Sequence, residues 1–304
     1  MNKLDIPLVS VVILNCNRLP DLKETIERTK DIAYNKLEII VVDNGSNDGS
    51  VEYIQLLDDR IFKKIILNHN SGSAHGHNVG MKLAKGKYVI TIDDDCFLSP
   101  KSIDIFVDYF EKYPKLAGIG CGFVNPYKGF DNDLYWSKPK ISCSDHEINN
   151  SYETFVYTSA SAWRKSALEE INYIDENWFY VTEDVELCFG LIANGYNTIV
   201  FDELIAFHKT SPLNRDFAVI DFNGIAGNIM LIIKYLPIFL IPIKLFAIIN
   251  KVIFYSVVNM KWLYLKAFFN GLIKSVVLLK NNKRLTYRLA KKTSLTPVNL
   301  LFQR

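Results

Sequence analysis

Residues 87–95 read KYVITIDDD, an apolar run with β-branched residues that ends in three consecutive aspartates. Runs of the same kind lie earlier in the chain, at residues 9–15 (VSVVILN), 37–43 (LEIIVVD) and 63–68 (KKIILN), and a helical pattern follows each of them. Strands that are apolar on both faces and alternate with helices are typical of a mainly parallel sheet covered by helices. The pattern therefore predicts an α/β fold of the type that binds nucleotides.

Polar residues follow the ends of these runs, and in a parallel sheet ligands bind where the carboxyl ends of the strands meet. The residues at these ends are Asn15, Asn17, Asp43, Asp93, Asp94 and Asp95. Asp43 could accept a hydrogen bond from a pyrimidine imide N–H or from a ribose hydroxyl. The alternative is that Asp43 builds a turn together with Asn44 and Gly45.

The three adjacent aspartates require compensation, because carboxylates at one strand end repel one another. A hard divalent cation such as Mg²⁺ or Mn²⁺ takes oxygen ligands and can bridge a carboxylate to a diphosphate. Asp93 and Asp95 are candidate ligands, and His208 in the segment IAFHKTS could add a nitrogen ligand. A solvated acidic turn and a structural histidine are the alternatives.

The segment VTEDVEL (residues 181–187) contains two adjacent acids, Glu183 and Asp184, at the start of a predicted helix. A carboxylate there could remove the proton of an acceptor hydroxyl during group transfer. Acids in the first turn of a helix also cap it and complement its dipole, so a structural role is the alternative.

In their order and spacing, these motifs resemble the family 2 glycosyltransferases of the GT-A fold, especially the rhamnosyltransferase-like group that assembles bacterial surface polysaccharides. The resemblance covers residues 9–210, through VSVVILNCNR, IIVVDNGSNDGS, NSGSAHGHNVGMKLAKGKYVITIDDD, DENWFYVTEDVELCFGLIANGY and IAFHK. It implies a GT-A (Rossmann-like), mainly parallel sheet. It also implies an inverting, metal-dependent enzyme that moves a sugar from a UDP- or dTDP-type nucleotide sugar to a lipid-linked or polysaccharide acceptor.

Carried over residue by residue, the resemblance gives each motif a role. It implies that Asp184 is the catalytic base and that Asp93, Asp95 and His208 bind Mg²⁺ or Mn²⁺. It implies donor contacts at Asn15, Asn17, Asp43, Asn78, Asp93 and Asp94. Two positions depart from the family pattern, since Cys16 stands where tyrosine is frequent and His77 stands where arginine is common.

Two other functions compete with this interpretation. A haloacid-type phosphatase is suggested by ITIDDDCF, but that class carries its motif on the first strand, and Phe97 stands where Thr or Ser is expected. A catalytically silent scaffold that binds a nucleotide or a glycan is disfavoured by the intact DDD and ED motifs.

The end of the chain differs sharply in charge from the rest. Asp221 is the last acid, and residues 222–304 contain thirteen Lys or Arg in a strongly apolar background. Apolar helices with basic residues suit the anionic cytoplasmic leaflet of a membrane. We therefore predict a transferase domain at 1–221 and a helical membrane-associating tail at 222–304, with an ordinary helical cap as the alternative. We do not expect the tail to bind nucleic acid, because it is too apolar to present the polar, basic face that contacts phosphates.

The start of the chain and its cysteines lead us to expect a protein at the cytoplasmic face of the membrane. Asp5 and Pro7 precede the first apolar run and a polar NCNR follows it, which is typical of a buried strand rather than of a signal peptide. The five cysteines contain no CxxC pair, so neither a disulfide framework nor a zinc site is predicted.

Overall fold

The computed structural model describes residues 6–128, 131–137, 140–154, 156–278 and 283–292. Within these ranges the strands are β1 (Val9–Asn15), β2 (Leu37–Asp43), β3 (Phe62–Ile66), β4 (Tyr88–Asp93), β5 (Cys96–Leu98), β6 (Leu116–Val124), β7 (Ala160–Arg164) and β8 (Asn197–His208). The helices are α1 (Leu19–Lys30), α2 (Ser50–Gln55), α3 (Ser73–Leu83), α4 (Ser102–Lys112), α5 (Asn132–Trp136), α6 (Asp145–Asn150), α7 (Lys165–Glu170), α8 (Glu183–Ala193), α9 (Phe217–Tyr235), α10 (Ile241–Val258), α11 (Leu263–Leu278) and α12 (Tyr287–Lys292).

The strands form one mixed sheet in the order β3-β2-β1-β4-β7-β6-β8-β5. Neighbours β3, β2, β1 and β4 run parallel, as do β6 and β8, whereas β7 and β5 run antiparallel to their neighbours. The prediction of an α/β fold with a mainly parallel sheet is therefore confirmed.

Both faces of the sheet are covered, because alternate residues of each strand point to opposite sides. On one face Val12 and Leu14 pack with α3, α8 and α9. On the other face Val11 and Ile13 pack with α1, α2 and α4. This double covering explains why the strand sequences are continuously apolar.

Helix α9 is part of this core. Its residues Ile225, Ile229 and Ile232 are buried in the same cluster as the strand residue Val12. The predicted division between residues 221 and 222 falls inside α9. The first part of the predicted tail therefore shares the hydrophobic core of the transferase domain.

Helices α10 and α11 continue from this core, but α10 is far less covered. Helix α11 packs on α9 at Gly271, where an added Cβ would lie 2.8 Å from the carbonyl oxygen of Ala226. On α10, Ile243, Phe246 and Phe254 have exposed fractions of 64%, 71% and 60%. The predicted helical, apolar and basic extension is present.

Candidate active site

The sheet brings the predicted site residues to one edge. In the parallel register Asn15 lies opposite Asp43, and Leu14 lies opposite Asp93. The next residues of the chain, Asp94 and Asp95, turn away from β4 at that same edge. The carboxyl ends of β1, β2 and β4 thus converge, as expected for a parallel sheet.

Asn15 and Asp43 form a buried polar network. Asn15 Nδ2 donates to Asp43 Oδ2 at 2.7 Å and to Ser46 Oγ at 3.1 Å. The Ser46 amide donates to Asp43 Oδ1 at 2.8 Å. Asn17 extends the network, because its amide donates to Ser46 Oγ at 2.8 Å and its Oδ1 accepts from the Asn47 amide at 2.7 Å. Asn15 Oδ1 is buried without a hydrogen-bond partner, so one acceptor remains available there.

The three consecutive aspartates have different surroundings. Asp95 Oδ1 lies 3.4 Å from His208 Nε2, and Asp95 Oδ2 accepts from the Ser211 amide at 2.8 Å. Asp94 accepts from Arg18 Nη1 at 3.0 Å and from the Cys16 amide at 3.1 Å. Asp93 is the most exposed of the three, and its Oδ1 lies 3.3 Å from His77 Nε2. Each carboxylate therefore has its own positively charged or hydrogen-bond-donating neighbour.

These surroundings shift the pKa values of Asp94 and Asp95 in opposite directions. Burial raises the pKa of Asp94 to about 8, with the charges of Asp95 and Asp93 adding to the effect and Arg18 opposing it. Burial also opposes the ionisation of Asp95, but contact with His208 and the charge of Arg18 outweigh it and lower the pKa to about 2. Asp95 is thus held as a carboxylate across the physiological pH range.

Glu183 and Asp184 begin α8 immediately after a strained turn. Val181 and Thr182 have positive φ angles of 62° and 68°, which a β-branched residue rarely adopts. Gly227 of α9 supports this turn, since a Cβ there would lie 2.1 Å from Thr182 Oγ1. Strain of this kind persists only when the surrounding structure holds it, and it clusters at functional sites.

Burial raises the pKa values of both acids. The pKa of Glu183 rises to about 7, with a further contribution from the charge of Asp184. The pKa of Asp184 rises to about 6, with the charge of Asp93 adding to the effect of burial. Glu183 accepts a hydrogen bond from the Ser73 hydroxyl, whereas Asp184 Oδ1 accepts from the Val185 amide at 2.8 Å. Asp184 therefore carries a basic carboxylate within electrostatic range of the aspartate cluster.

A cavity of about 330 Å³ lies at this edge of the sheet. Its lining includes Arg18, His77, Asp93, Asp94 and Glu183, which come from the ends of β1, β4 and the starts of α3 and α8. On the outer side it is closed by residues of the segment between β8 and α9 and by the first turn of α9. Of the predicted site residues, two are among those that line this cavity, Asp93 and Asp94. The lining does not include Asn15, Asn17, Asp43, Asp95, Asp184 or His208.

The donor set fits a hard divalent cation. Asp95 Oδ1 is buried, makes no hydrogen bond and faces the Nε2 atom of His208. A carboxylate oxygen and an imidazole nitrogen placed in this way could both bind the same cation. In the described part of the chain, no three His, Cys, Asp or Glu side chains converge into a complete metal site. A cation here would therefore need further ligands from a bound molecule.

Asn78 is placed differently from the other predicted contacts. Its Nδ2 donates to the Ile174 carbonyl at 2.8 Å and to Glu176 Oε1 at 2.9 Å, and its Oδ1 accepts from the Ile174 amide at 3.1 Å. The side chain is buried and is absent from the cavity lining. Asn78 therefore anchors the loop that leads to α8.

The sequence did not single out two groups that the structure brings to the site. Arg18 reaches Asp94, and Arg215 Nη2 lies 3.7 Å from Asp95 Oδ2. Phe123 and Tyr157 form an aromatic pair with centroids 5.8 Å apart, and Phe123 lies 5.3 Å from the His208 ring. The need for positive charge near three aspartates was a signal for the arginines, but no local pattern marked the aromatic pair.

Comparison with known proteins agrees with this geometry. The model of glycosyl transferase family 2 matches residues 10–171, more than half of the chain. An uncharacterized glycosyltransferase of Haemophilus influenzae is 34% identical over 230 residues, which cover 69% of this chain and 69% of that protein. A poly-beta-1,6-N-acetyl-D-glucosamine synthase of Staphylococcus epidermidis is 28% identical over 188 residues, which cover 60% of this chain and 45% of that one.

A solved structure shows the same fold over nearly the whole chain. Mannosyltransferase PcManGT from Pyrobaculum calidifontis, in complex with GDP-Man and Mn²⁺, has a TM-score of 0.59 at 15% sequence identity, and the match covers 99% of this chain and 82% of that chain. At this identity the likeness concerns the fold alone, which is that of the GT-A glycosyltransferases. On the family match and the 34% identical relative, the chain belongs to the family 2 glycosyltransferases, a family that includes enzymes of surface-polysaccharide synthesis.

Proposed function

We propose that this protein is an inverting glycosyltransferase that uses Mg²⁺ or Mn²⁺ and a UDP- or dTDP-type nucleotide sugar. The observation that carries the proposal is the cluster of Asp93, Asp94 and Asp95 at the carboxyl end of β4, where Asp95 Oδ1 lies 3.4 Å from His208 Nε2 and where Asp93 and Asp94 line the cavity. Burial opposes the ionisation of Asp95 but contact with His208 lowers its pKa, whereas burial raises the pKa of Asp184. The first suits a permanent cation ligand, and the second suits a group that takes up a proton.

The donor would lie across the ends of β1, β2 and β4. Uracil and thymine both present an imide N–H, and the unpartnered Asn15 Oδ1 or the neighbouring Asp43 carboxylate would accept it. Asn17 would help to hold the loop that carries Ser46, and Asp93 and Asp94 would face the ribose and the diphosphate. The fixed position of Asn78 supports a structural role for that residue instead.

Asp95 and His208 would hold the cation, with Asp93 at the more exposed side of the cluster. When bound, the cation would neutralise the charge that develops on the leaving diphosphate. Arg18 and Arg215 lie close enough to the aspartates to add positive charge at the same place. The aspartate cluster and its neighbours would thus supply both ligands and counter-charges for an anionic leaving group.

Asp184 would act on the acceptor. Burial raises the pKa of its carboxyl group above the ordinary value, which makes the carboxylate a stronger base for the proton of an attacking hydroxyl. Burial and the charge of Asp184 raise the pKa of Tyr157, so the aromatic pair Phe123 and Tyr157 would lie on the acceptor side. Exposed aromatic rings can pack against the apolar C–H face of a sugar, so they favour a saccharide acceptor.

The tail supports a lipid-linked or polysaccharide acceptor at the cytoplasmic face of a membrane. In the part of the chain that the structure describes, two helices could cross a membrane by length and composition, Phe217–Tyr235 and Ile238–Val258. We propose that residues 1–221 contain the catalytic residues and that the exposed, acid-free part of residues 222–304 binds the membrane surface.

A nucleotide screen followed by two variants tests the proposal. Thermal shift with UDP, dTDP and inorganic phosphate, each with and without Mn²⁺, should show metal-dependent stabilisation by a nucleoside diphosphate. Asp95→Ala should remove the metal dependence, because the cation loses a buried carboxylate. Asp184→Asn should abolish sugar transfer while nucleotide affinity stays nearly unchanged.

Each competing function gives a different outcome. A phosphatase would release phosphate from simple phosphate esters and would not need a nucleotide. A silent scaffold would bind the nucleotide without turnover in the wild-type chain. Equal losses of nucleotide affinity and of transfer in Asp184→Asn would assign Asp184 to helix capping instead of catalysis.

A further inference from the structure

An apolar groove of about 580 Å³ lies between the start of α9 and α11. Its apolar wall consists of Phe222, Trp262, Leu265, Phe269 and Ile273. Trp262, Phe269 and Ile273 have exposed fractions of 69%, 56% and 71%. Apolar surface of this size that stays open to solvent marks a binding site or an interface.

The groove begins beside the catalytic cavity. Val219 lines the cavity, and Phe222 lines the groove. Both residues belong to α9, and residues three apart on a helix are neighbours on one face, separated by roughly 4.5 Å along its axis. A molecule with a polar head in the cavity could therefore place an attached apolar chain directly in the groove.

We propose that this groove binds the hydrocarbon chain of the acceptor lipid and thereby presents the acceptor head to Asp184. The inference rests on the proposed function and gives its acceptor a chemical class, a saccharide or phosphate joined to a prenyl or acyl chain. Among the residues that line the groove, one is charged, Lys266. A lysine beside an apolar surface suits an amphiphile that carries a negative charge.

The neighbouring surface explains how such a chain would arrive. Phe246 and Phe254 on α10 are 71% and 60% exposed, and Val276 and Val277 on α11 are 66% and 69% exposed. This apolar surface continues along α11 from the groove, so a chain could pass from a bilayer that α10 contacts into the groove without crossing water.

Photo-crosslinking of the full chain on vesicles tests the inference without requiring turnover. The probe is farnesyl phosphate with a diazirine on its prenyl chain, in vesicles of phosphatidylcholine and phosphatidylglycerol. Labelling should map to residues 262–273 and to the start of α9, and geranylgeranyl phosphate should compete for it. A diazirine-bearing phosphatidylglycerol serves as the probe for ordinary bilayer contact.

Matched variants separate the groove from the rest of the apolar surface. The double variant Phe269→Ser and Ile273→Ser should reduce farnesyl labelling at least tenfold, whereas Phe254→Ser and Val257→Ser on α10 should leave labelling per bound molecule unchanged. Ile273→Trp fills the groove without lowering its apolarity, so it should block labelling even if the serine variant is unstable.

Three results would overturn the inference. They are equal labelling of the same residues by the phosphatidylglycerol probe, labelling that geranylgeranyl phosphate does not compete, and full farnesyl labelling in Ile273→Trp. Failure of the proposed function is distinguishable, because it would appear as absent transfer to every acceptor. A correct groove instead predicts that Ile273→Trp keeps transfer to a short water-soluble acceptor and loses it to the prenyl-linked one.

Discussion

Helices α9 and α10 follow each other in the chain and have similar compositions but opposite environments. Both are long and apolar enough to cross a membrane, with mean hydropathies of 1.5 for Phe217–Tyr235 and 1.9 for Ile238–Val258. In the most apolar 18 residues of each, 61% are buried in the first and 11% in the second. Hydropathy alone therefore does not distinguish a helix buried in the protein core from a helix whose apolar side chains remain exposed and could contact a membrane or another protein.

The distinction comes from what the polar groups of each helix meet. On α9, Lys234 Nζ lies 2.7 Å from Asp175 and 2.8 Å from Glu186, and the Tyr235 hydroxyl donates to Glu186 at 2.6 Å. The carboxylates come from the earlier part of the chain, one of them on α8. In contrast, α10 lies in a part of the sequence without acids. A buried lysine with two carboxylate partners identifies α9 as a core helix.

The largest effect is expected from Lys234→Met. This change leaves Asp175 and Glu186 as uncompensated charges in a largely buried site, which typically costs about 3–5 kcal/mol. The cluster also lines a cavity of about 620 Å³, so we expect the lower end of that range. Urea unfolding followed by far-UV circular dichroism measures the loss.

Lys251→Met on α10 is the matched control for this variant. Lys251 lies on a poorly covered helix, and we expect its free energy of unfolding to change by no more than about 0.5 kcal/mol. Equal destabilisation by the two variants would show that α10 is as firmly integrated in the core as α9.

The next largest effect concerns the apolar surface of α10. Replacing Phe246 and Phe254 by serine should lower the fraction bound to vesicles at least tenfold, because two exposed aromatic side chains no longer leave water on binding. Stability in the absence of lipid should hardly change, since neither side chain is buried. Co-sedimentation with vesicles and urea unfolding measure the two quantities separately. Unchanged sedimentation would assign membrane contact to another surface or to none.

The same contrast shows how far the sequence could predict the molecule. The strand runs and their polar ends predict the sheet, because β1, β2 and β4 are apolar on both faces and end in Asn15, Asp43 and Asp93. Strand β7 (Ala160–Arg164) is not one of these runs. It pairs with β4 and β6 through a short stretch, ASAWR, that carries little periodic signal.

Within the site, long-range partners were the unpredictable part. The DDD motif predicted that Asp93, Asp94 and Asp95 lie at the site. The sequence could not show that Asp95 contacts His208 and that Asp94 contacts Arg18. The nucleotide contact of Asn78 stays a prediction, and in the structure its side chain holds Ile174, because the loop before α8 folds back over α3. The boundary at residues 221/222 followed the loss of acids, but the core continues through α9 because Lys234 finds its partners in the earlier part of the chain.

A smaller effect is expected from pH. Burial opposes the ionisation of Asp175, but Lys234 lowers its pKa, and the charges of Glu186 and Asp175 outweigh burial and raise the pKa of Lys234. Because the pKa of Asp175 is lowered, its ionised form stabilises the folded protein at pH values above the ordinary carboxyl pKa of 3.8. Because the pKa of Lys234 is raised, its charged form stabilises the folded protein at pH values below the ordinary lysine pKa of 10.5.

The difference in unfolding free energy between wild type and Lys234→Met should therefore be greatest near neutral pH. It should shrink on the acid side, because the two carboxylates left unpaired by the substitution become protonated, and again above pH 10.5, by on the order of 1 kcal/mol in each direction. Unfolding series at these pH values test this expectation. A difference that stays level at both extremes would mean that Lys234 acts through packing rather than through its charge.

The smallest effect is expected from a single lysine on α10. A Lys near an anionic leaflet contributes about 1 kcal/mol, which corresponds to roughly a fivefold change in binding. We therefore expect Lys251→Gln to weaken binding to phosphatidylglycerol-containing vesicles by about that factor at low ionic strength. Lys36→Gln, at an exposed position before β2, is the control and should have no effect.

Salt and lipid charge separate the two contributions of α10. At about 0.5 M salt the Debye length is only a few ångströms, so the difference between Lys251→Gln and wild type should disappear. Binding of the wild-type chain should weaken but persist, because burial of Phe246 and Phe254 is not screened by ions. On pure phosphatidylcholine the two proteins should bind alike. If salt removes binding completely, α10 is held by charge alone, and its exposed apolar residues must be covered by protein rather than by lipid.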